Sequence, residues 1–554
     1  LEPVVDIVGW GSGASAFAGT APAPGTGNAT SVTRTDGRNT ADNAADFRTA
    51  APTPLGGGAV PNVDEEPGDG EGEEPGTPTA VTIAEIQGTG DVSPLRGQTV
   101  TTEGVVTAHY PTGGLNGYVI QTPGTGGEID FATHMASDAV FVYAGTAAVT
   151  DEVALGDTVE VTGVVSEYYG LTQISVTTGK ARKIADADDP QPATFAWTAD
   201  SAQRESIESM LVAPGEFTVT DNYAVNQYGE IGLAAGDQPL RKPTDVAPAG
   251  SADAAAVEKD NAARAIRLDD GSTAQFGSTG STTPPYLSLA EPVRVGASVT
   301  FDEPVIMDYR FEEWKFTPIR HIVGDGSGND GVTFENTRTD APVAVGGDVS
   351  VASFNVLNYF TTLGNETAGC QAYTDRQGNP NNVRGGCDQR GAWDQASFGR
   401  QQSKIVDAIN ALDASVVGLM EIEDSAKLGL PTDRAVATLV EALNADAGST
   451  KWAYVPSSTE LPAAAGRDVI TNAIIYQPAL VERTGASRAL GTASGSGQPF
   501  NNAREPIAQT FTPVGGGEDF LVAVNHFKSK GSAGPFPGDA DAFDGQGSSN
   551  ESRE

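Results

Sequence analysis

The sequence predicts a multidomain chain, a β-rich N-terminal half followed by an α/β domain incomplete at its C-terminal side. Three observations predict it. At 554 residues the chain is too long for one core, and a usual size of roughly 100–200 residues per domain gives three or four. Glycine (67) and proline (34) are abundant and methionine is scarce (4), which suits many turns and much β-structure. From residue 345 the hydrophobic pattern changes from short alternating runs to a succession of strands and helices.

Residues 1–53 alternate small polar turns with short apolar stretches, VVDIVGW and NAADF. Residues 54–79, PLGGGAVPNVDEEPGDGEGEEPGTPT, form an acidic Pro/Gly linker; it has almost nothing to bury, and like charges extend it. Residues 80–187 read as strands: TVTTEGVVTA (99–108), GYVIQT (117–122), AVFVYAG (139–145), DTVEVTGVVSEY (157–168) and TQISV (172–176). Five or six short strands separated by glycine turns suit a small closed barrel, of which the OB-fold is the commonest type. Residues 188–340 form a second β-rich, OB-like unit, with strands in 210–223 and 291–316. The similar stretches near 157 and 297 suggest a repeated barrel. Within 345–554, DVSVASFNVLNYF (348–360), ASVVGLMEIED (414–424), DVITNAIIYQP (468–478), EPIAQTFTP (505–513) and FLVAVNHF (520–527) read as strands. FGRQQSKIVDAINAL (398–412) and DRAVATLVEALN (433–444) have helical spacing of apolar residues. That order indicates a layered α/β domain.

The formal net charge is -40, which argues against a general nucleic-acid coat because polyanions repel such a surface. It leaves room for a nuclease, since a divalent metal neutralises phosphate locally; its plainest meaning is solubility and protease resistance in a secreted protein. No run of 18 apolar residues marks a transmembrane helix. The opening LEPVVDIVGWG reads as the middle of a β-rich domain and the closing DGQGSSNESRE lacks a closing strand, so the chain is read as cut at both ends. The two cysteines, Cys370 and Cys387, each follow a glycine in a polar loop. They predict a disulfide formed in an oxidising compartment, against the alternative of two free thiols. A zinc site would need further Cys or His nearby.

Three strand ends place polar groups in an apolar setting: Asn355 in SFNVLNY, Glu421 in VVGLME and His526 in LVAVNH. A carboxylate beside an amide oxygen is the hard-oxygen pocket that Mg²⁺ prefers. A histidine facing it can take a proton from water or give one to a leaving oxygen. Arg504 can hold a phosphate through its planar fork. Together these suit metal-assisted phosphodiester hydrolysis. Each also has a structural reading: a solvated strand end, a turn-forming Asn, a hydrogen-bonded His, a surface ion-pair Arg.

In this order, SFNVLNYF, VVGLMEIED, NAIIYQP, REPIAQTF and VNHFKSKG closely resemble the endonuclease/exonuclease/phosphatase superfamily, the fold of deoxyribonuclease I. Within it the chain is most similar to the secreted ExeM/NucH-type bacterial nucleases. VVDIVGWG with DNAADF resembles part of a lamin-tail domain, and IAEIQGTGDVSPLRGQTVTTEGVVTA the first OB-like barrel. The resemblance implies a partial lamin-tail-like sandwich in 1–53, OB-like barrels, and a truncated four-layer α/β sandwich in 345–554. It implies that Asn355 and Glu421 hold the metal, Mg²⁺ with Ca²⁺ or Mn²⁺ as alternatives. It makes His526 a catalytic histidine, Asp468 the acid that orients it, and Arg504 a substrate contact. Lys528 and Lys530 add local positive charge. Residues 351–530 hold 14 Lys/Arg against 18 Asp/Glu, far less acidic than the whole chain. The implied partner is nucleic acid, DNA before RNA, and the implied setting is extracellular, secreted or cell-surface, as a monomer. The superfamily also needs a GDFN-like motif and a late Asp-His pair, and neither occurs before Glu554; the chain alone is therefore expected to be inactive. Two other readings are a phosphodiesterase acting on phospholipid or a small phosphoester, and a non-catalytic cell-surface nucleic-acid-binding module. Tyr118, Tyr168 and Tyr169 are candidate base-stacking aromatics on the barrel.

Overall fold

The computed structural model describes residues 78–554 apart from 146–149, 151, 178, 278–282, 289, 324–330, 496, 499, 544 and 554, and within the first 77 residues only 10, 18–24, 31–34, 40 and 42–50. It divides into two compact units, Leu1–Gly76 and Thr77–Glu554. In the first, Ser31–Arg34 pairs antiparallel with Phe47–Ala50. Buried Asp46 accepts hydrogen bonds from the backbone N–H and the hydroxyl of Thr40, both at 2.7 Å. The rest of the expected lamin-tail-like domain, and the expected linker as far as residue 77, lie outside the described residues. The end of that linker is ordered: Thr79–Ala80 forms a short parallel strand beside Val100–Thr101.

The second unit begins with the expected barrel. Its strands are β1 (Thr99–Tyr110), β2 (Gly117–Gln121), β3 (Ala139–Tyr143), β4 (Thr158–Tyr168) and β5 (Leu171–Ser175). They run in the order β1-β2-β3-β5-β4, and a long β4–β1 pairing closes the circle. Alternation turns Val100, Ile120, Val142, Val161 and Ile174 inward. Helix α1 (Ile83–Gln87) adds Ile83 and Ile86 to that core. A reciprocal cap between Thr82 and Glu85 starts it, so a five-residue helix holds where propensity alone would not. Tyr118 is fully buried in this core and so has no ring face to offer a base.

The second β-rich unit differs from expectation. Its strands, including β6 (Ala265–Leu268), β7 (Val305–Arg310) and β8 (Glu313–Pro318), join one ten-stranded sheet with no closing pair among the described residues. The physical reason lies at one edge: Gln191–Thr194 pairs with Gly126–Glu128 from the barrel segment, so the sheet extends into its neighbour. A single core runs across both, from Tyr110 and Phe141 of the barrel to Phe217, Met307 and Phe316. Beside β6, fully buried Asp270 has its carboxyl raised from 3.8 to about 8 by burial and then by Asp269. A carboxyl raised above its unfolded value favours the protonated folded state, so its contribution to stability falls as pH rises between about 4 and 8. The melting temperature should therefore drop from pH 5 to pH 9, and drop less in Asp270→Asn; parallel curves for the two proteins would contradict this.

Residues beyond 345 form two sheets and a helical layer. Strands β9 (Val351–Tyr359), β10 (Val416–Glu423), β11 (Ala453–Tyr454) and β12 (Ile470–Tyr476) make a mixed sheet in the order β9-β10-β12-β11. Strands β13 (Val481–Ala489), β14 (Arg504–Pro513) and β15 (Phe520–His526) make an antiparallel one. Helices α2 (Gln395–Leu412) and α3 (Arg434–Ala447) cover one face of the mixed sheet, burying Ile405, Ile409, Leu439 and Leu443 against Val417 and Leu419. Asp394 caps α2 by accepting from the Ser397 N–H at 2.8 Å, and Asp413, at φ 48°, ends it. On the other face Val416 and Ile474 pack with Phe511, Val522 and Val524 of the second sheet.

Cys370 and Cys387 are bonded, their Cα atoms 4.9 Å apart. The bridge closes the base of a hairpin, Gln371–Thr374 with Pro380–Gly385. From its tip Arg376 donates to the carbonyl oxygens of Phe276 (2.7 Å) and Asn226 (3.4 Å), docking the hairpin on the preceding β-unit. Closing a loop of this length is worth about 3 kcal/mol through the unfolded chain. Mass spectrometry of unreduced protein should give one linked Cys370–Cys387 peptide pair, and Cys370→Ser with Cys387→Ser should make residues 370–387 the first site of proteolysis. Two freely alkylated thiols in the purified protein would refute the bond.

Candidate functional site

Strand β10 starts as a buried run, Val416 to Leu419, wedged between helices and second sheet. Gly418 sets how closely the sheets approach: a Cβ there would lie 2.7 Å from the Val524 Cγ2. Without a side chain, β15 closes on β10, and the chemistry follows three residues along one strand and two along the other. There the β10–β12 register shifts between Leu419 and Ile422, leaving Met420 and Glu421 opposite Asn472 alone. This is a β-bulge, a device that re-aims a side chain. Glu421 sits in it at φ 64°, a left-handed backbone that non-glycine residues hold only under tertiary constraint. Across the sheet, β9 shifts register between Asn355 and Tyr359, with Leu357 at φ 48° and Asn358 at φ 53°. Three strained residues thus meet at one edge.

His526 ends β15 at that edge, its Nε2 3.8 Å from the Glu421 Oε1. Its Nδ1 is buried without a hydrogen-bond partner among the described residues. Burial chiefly, and then the Arg504 guanidinium, hold the imidazole below its ordinary value against the opposing pull of Glu421 and Asp468. Arg504 pairs with His526 across the β14–β15 ladder, and its Nε lies 3.3 Å from the Asp468 Oδ2. Asn355 is exposed, pairs with Met420 beside Glu421, and accepts from the Leu357 N–H at 2.8 Å. Asn355 and Glu421 of the mixed sheet and His526 and Arg504 of the antiparallel sheet therefore meet at one end of the two stacked sheets. Asp468 joins them in a different role from the one expected. Its Oδ1 accepts from Arg390 at 2.9 Å and its Oδ2 faces Arg504, so it positions the arginines and leaves the His526 Nδ1 without a bond. Lys528 donates to the Ser532 hydroxyl at 2.7 Å within its own loop, and Lys530 is exposed on the same turn.

Sequence reasoning passed over the groups that brace this edge. Buried Glu423 accepts from the hydroxyls of Thr361 (3.0 Å) and Thr362 (2.8 Å), from the Thr362 N–H (2.9 Å) and from the Ser425 hydroxyl (2.6 Å). It ties the segment after β9 to the end of β10. Asp424 pairs with the Arg467 Nη1 at 3.1 Å, both side chains buried. Asn472 donates to the Glu505 carbonyl oxygen at 2.9 Å, joining the two sheets. The acid run in MEIED and the GRD triplet at 466–468 were the visible signals; neither says which acid faces outward.

The donor set can be tested for a metal. Asn355 and Glu421 offer one amide and one carboxylate oxygen, which suits a hydrated Mg²⁺ that keeps most of its waters. It does not suit zinc, which takes nitrogen and sulfur ligands in a closed set. Among the described residues no group of three or more His, Cys, Asp or Glu could hold a metal by itself. No protein-family model matches the chain, and no curated protein matches it. A solved structure that resembles part of it is "The crystal structure of a functionally unknown conserved protein from Enterococcus faecalis V583". It is 19% identical, with a TM-score of 0.17, over 24% of this chain and 46% of that one. The chain spans less than half of that protein, and the likeness is too slight to bear on fold or chemistry. Among the described residues no helix is long and apolar enough to cross a membrane.

Proposed function

We propose that residues 345–554 form part of a deoxyribonuclease I-like four-layer sandwich whose site hydrolyses phosphodiester bonds in nucleic acid, DNA first, with metal assistance and outside the cell. The observation that carries the reading is the contact of His526 with Glu421 at a strained bulge, with Arg504 directly across the ladder. Backbone strain kept at a sheet's end needs a reason, and a preorganised site is one. The Cys370–Cys387 bridge supports an oxidising setting.

In this site Asn355 and Glu421 would hold the metal, which supplies charge neutralisation at the phosphate when bound. His526 receives the proton of an attacking water, or returns one to the leaving oxygen, through Nε2, the nitrogen that faces Glu421. Arg504 lies in ion-pair range of Asp468, its Nε 3.3 Å from the carboxylate, and its Nη edge would meet a phosphate oxygen. The GDFN-like motif and late Asp-His pair implied by the resemblance do not occur in the 554 residues. The test is nicking of supercoiled plasmid in Mg²⁺. The chain extended through those two motifs should nick and lose the activity reversibly in EDTA, whereas the 554-residue chain should not. Robust EDTA-sensitive nicking by the 554-residue chain would place the site elsewhere.

A further inference from the structure

A second concavity lies away from this edge, between the barrel and the ten-stranded sheet. It measures about 570 Å³ and is walled by β3 and the end of β4 on one side and by β7 and β8 on the other. That volume falls inside the range of roughly 300–1,000 Å³ usual for small-molecule sites. We propose that this cleft binds a neutral saccharide, a short oligosaccharide or the end of a longer glycan.

The charge balance of the walls decides the ligand class. Four carboxylates line the cleft, Glu230, Asp269, Asp308 and Glu313, and each already has a cation. Lys315 bonds to Glu230 and to Asp269, the latter at 3.2 Å. The Arg310 Nε lies 2.9 Å from Asp308, and the Arg267 Nε lies 2.7 Å from Glu313. Three cations meet four carboxylates, Lys315 serving two of them, so no carboxylate stands alone to fix an ammonium ligand and the negative excess of the walls repels a phosphate. The hydrogen-bonding capacity is nevertheless large. Arg310 is 8% exposed, and only its Nε is bonded among the described residues. Its guanidinium lies 4.3 Å over the ring of Phe141, which also lines the cleft. A buried planar donor with two unused nitrogens, beside acceptor oxygens on both sides, matches vicinal hydroxyls, which donate and accept at once.

The mouth supplies the other half of the recognition. Tyr168 and Phe311 line it and are 46% and 53% exposed. Their rings stand 6.5 Å apart, edge to face, with Tyr169 packed 4.7 Å from Phe311. Large exposed aromatics fixed against one another present apolar faces at little entropic cost. The C–H face of a pyranose ring fits such a face while its hydroxyls reach the charged wall. A nucleic-acid strand fits less well, because its phosphates would meet paired cations on a chain of net charge -40.

The test is ligand-observed NMR and calorimetry on the 554-residue chain. The probes are cellobiose, maltose, lactose and chitobiose, with adenosine and thymidine monophosphate as comparison arms. At least one disaccharide should bind, and Tyr168→Ala and Phe311→Ala should each weaken it about tenfold or more. Both positions are surface-exposed, and unchanged melting curves would confirm that the variants fold; Tyr168→Phe, which keeps the ring face, should bind within about threefold of the parent. The proposal is overturned if no disaccharide binds at about 10 mM, if binding is indifferent to both alanine variants, or if only the nucleoside or nucleotide binds. None of these readouts depends on plasmid nicking, so failure here leaves the phosphodiesterase reading standing, and the reverse.

Discussion

Glu421→Ala and His526→Ala, each made in the chain extended through the GDFN-like and Asp-His motifs, should lower EDTA-sensitive plasmid nicking by about 10²–10⁴-fold. The double variant should be little worse than either alone, because members of a cooperating site do not add. The two side chains stand 3.8 Å apart and would act on the same phosphate from metal and proton sides. His526→Gln keeps a polar side chain but loses the titratable imidazole, and should fall with His526→Ala. Asn355→Ala should fall less at saturating Mg²⁺, since lost metal affinity is recovered by mass action while a lost proton carrier is not. Gly418→Val offers a control of different origin. It touches no substrate, yet its side chain would force Val524 and β15 away from β10, so it should separate Glu421 from His526 and lower the rate as well. Full nicking activity in both Glu421→Ala and His526→Ala, with melting curves unchanged, would end the assignment.

Much of the fold was legible because alternation and helical spacing are strong signals where one face is buried. The five barrel strands fall within two residues of the runs read from sequence. The spacing of Ile405, Ile409 and Leu412 announced α2. The second β-unit was less legible. Its run from 291 to 316 breaks into three strands, and its sheet continues into Gly126–Glu128, a partner 65 residues away from Gln191 that no local pattern marks. The helix Ala252–Arg264 escaped because it is mostly alanine and charge with only Ala254 buried. Of the site, the strand ends were readable as places where polar residues follow apolar runs. The bulge at Glu421 was not. Alternation along VVGLMEIE puts Glu421 and Glu423 on one face, yet Glu423 is buried against Thr361 and Thr362 while Glu421 meets His526. A register shift changes which acid is functional without changing a letter of the pattern. Asp468 shows the same limit, since its neighbours Arg390 and Arg504 lie 78 and 36 residues away in sequence and compete for the oxygens that the histidine was expected to use.

Arg467→Ala should be the most damaging single change outside the site, at about 3–5 kcal/mol, because it strands a buried carboxylate. The Arg467 and Asp424 side chains are 8% and 4% exposed, with Nη1 and Oδ2 3.1 Å apart. Even with its partner present, Asp424 has its carboxyl raised above the ordinary value, burial outweighing the attraction of Arg467. Removing the guanidinium raises it further. A folded-state value above the unfolded one means stability is lost as pH rises from the unfolded value of about 3.8 upward. The penalty of Arg467→Ala should therefore be smallest below the unfolded value of about 3.8, where Asp424 is protonated in both states, and full at pH 8. Hydrogen exchange of the Val416–Glu423 amides reads it locally, which matters because a multidomain chain has no single unfolding free energy. Replacing both partners, as in Asp424→Leu with Arg467→Met, should recover most of the loss, since a well-packed apolar pair removes the desolvation cost along with the attraction. The Asp424 N–H donates to the Val469 carbonyl oxygen at 2.8 Å, so the backbone between the two strands survives the double change. Nicking activity in the extended chain should follow the same order, because Arg467 adjoins Asp468, whose carboxylate lies 3.3 Å from the Arg504 Nε. A pH-independent loss in Arg467→Ala, or a double variant no more stable than the single one, would show that the pair holds this edge by packing alone.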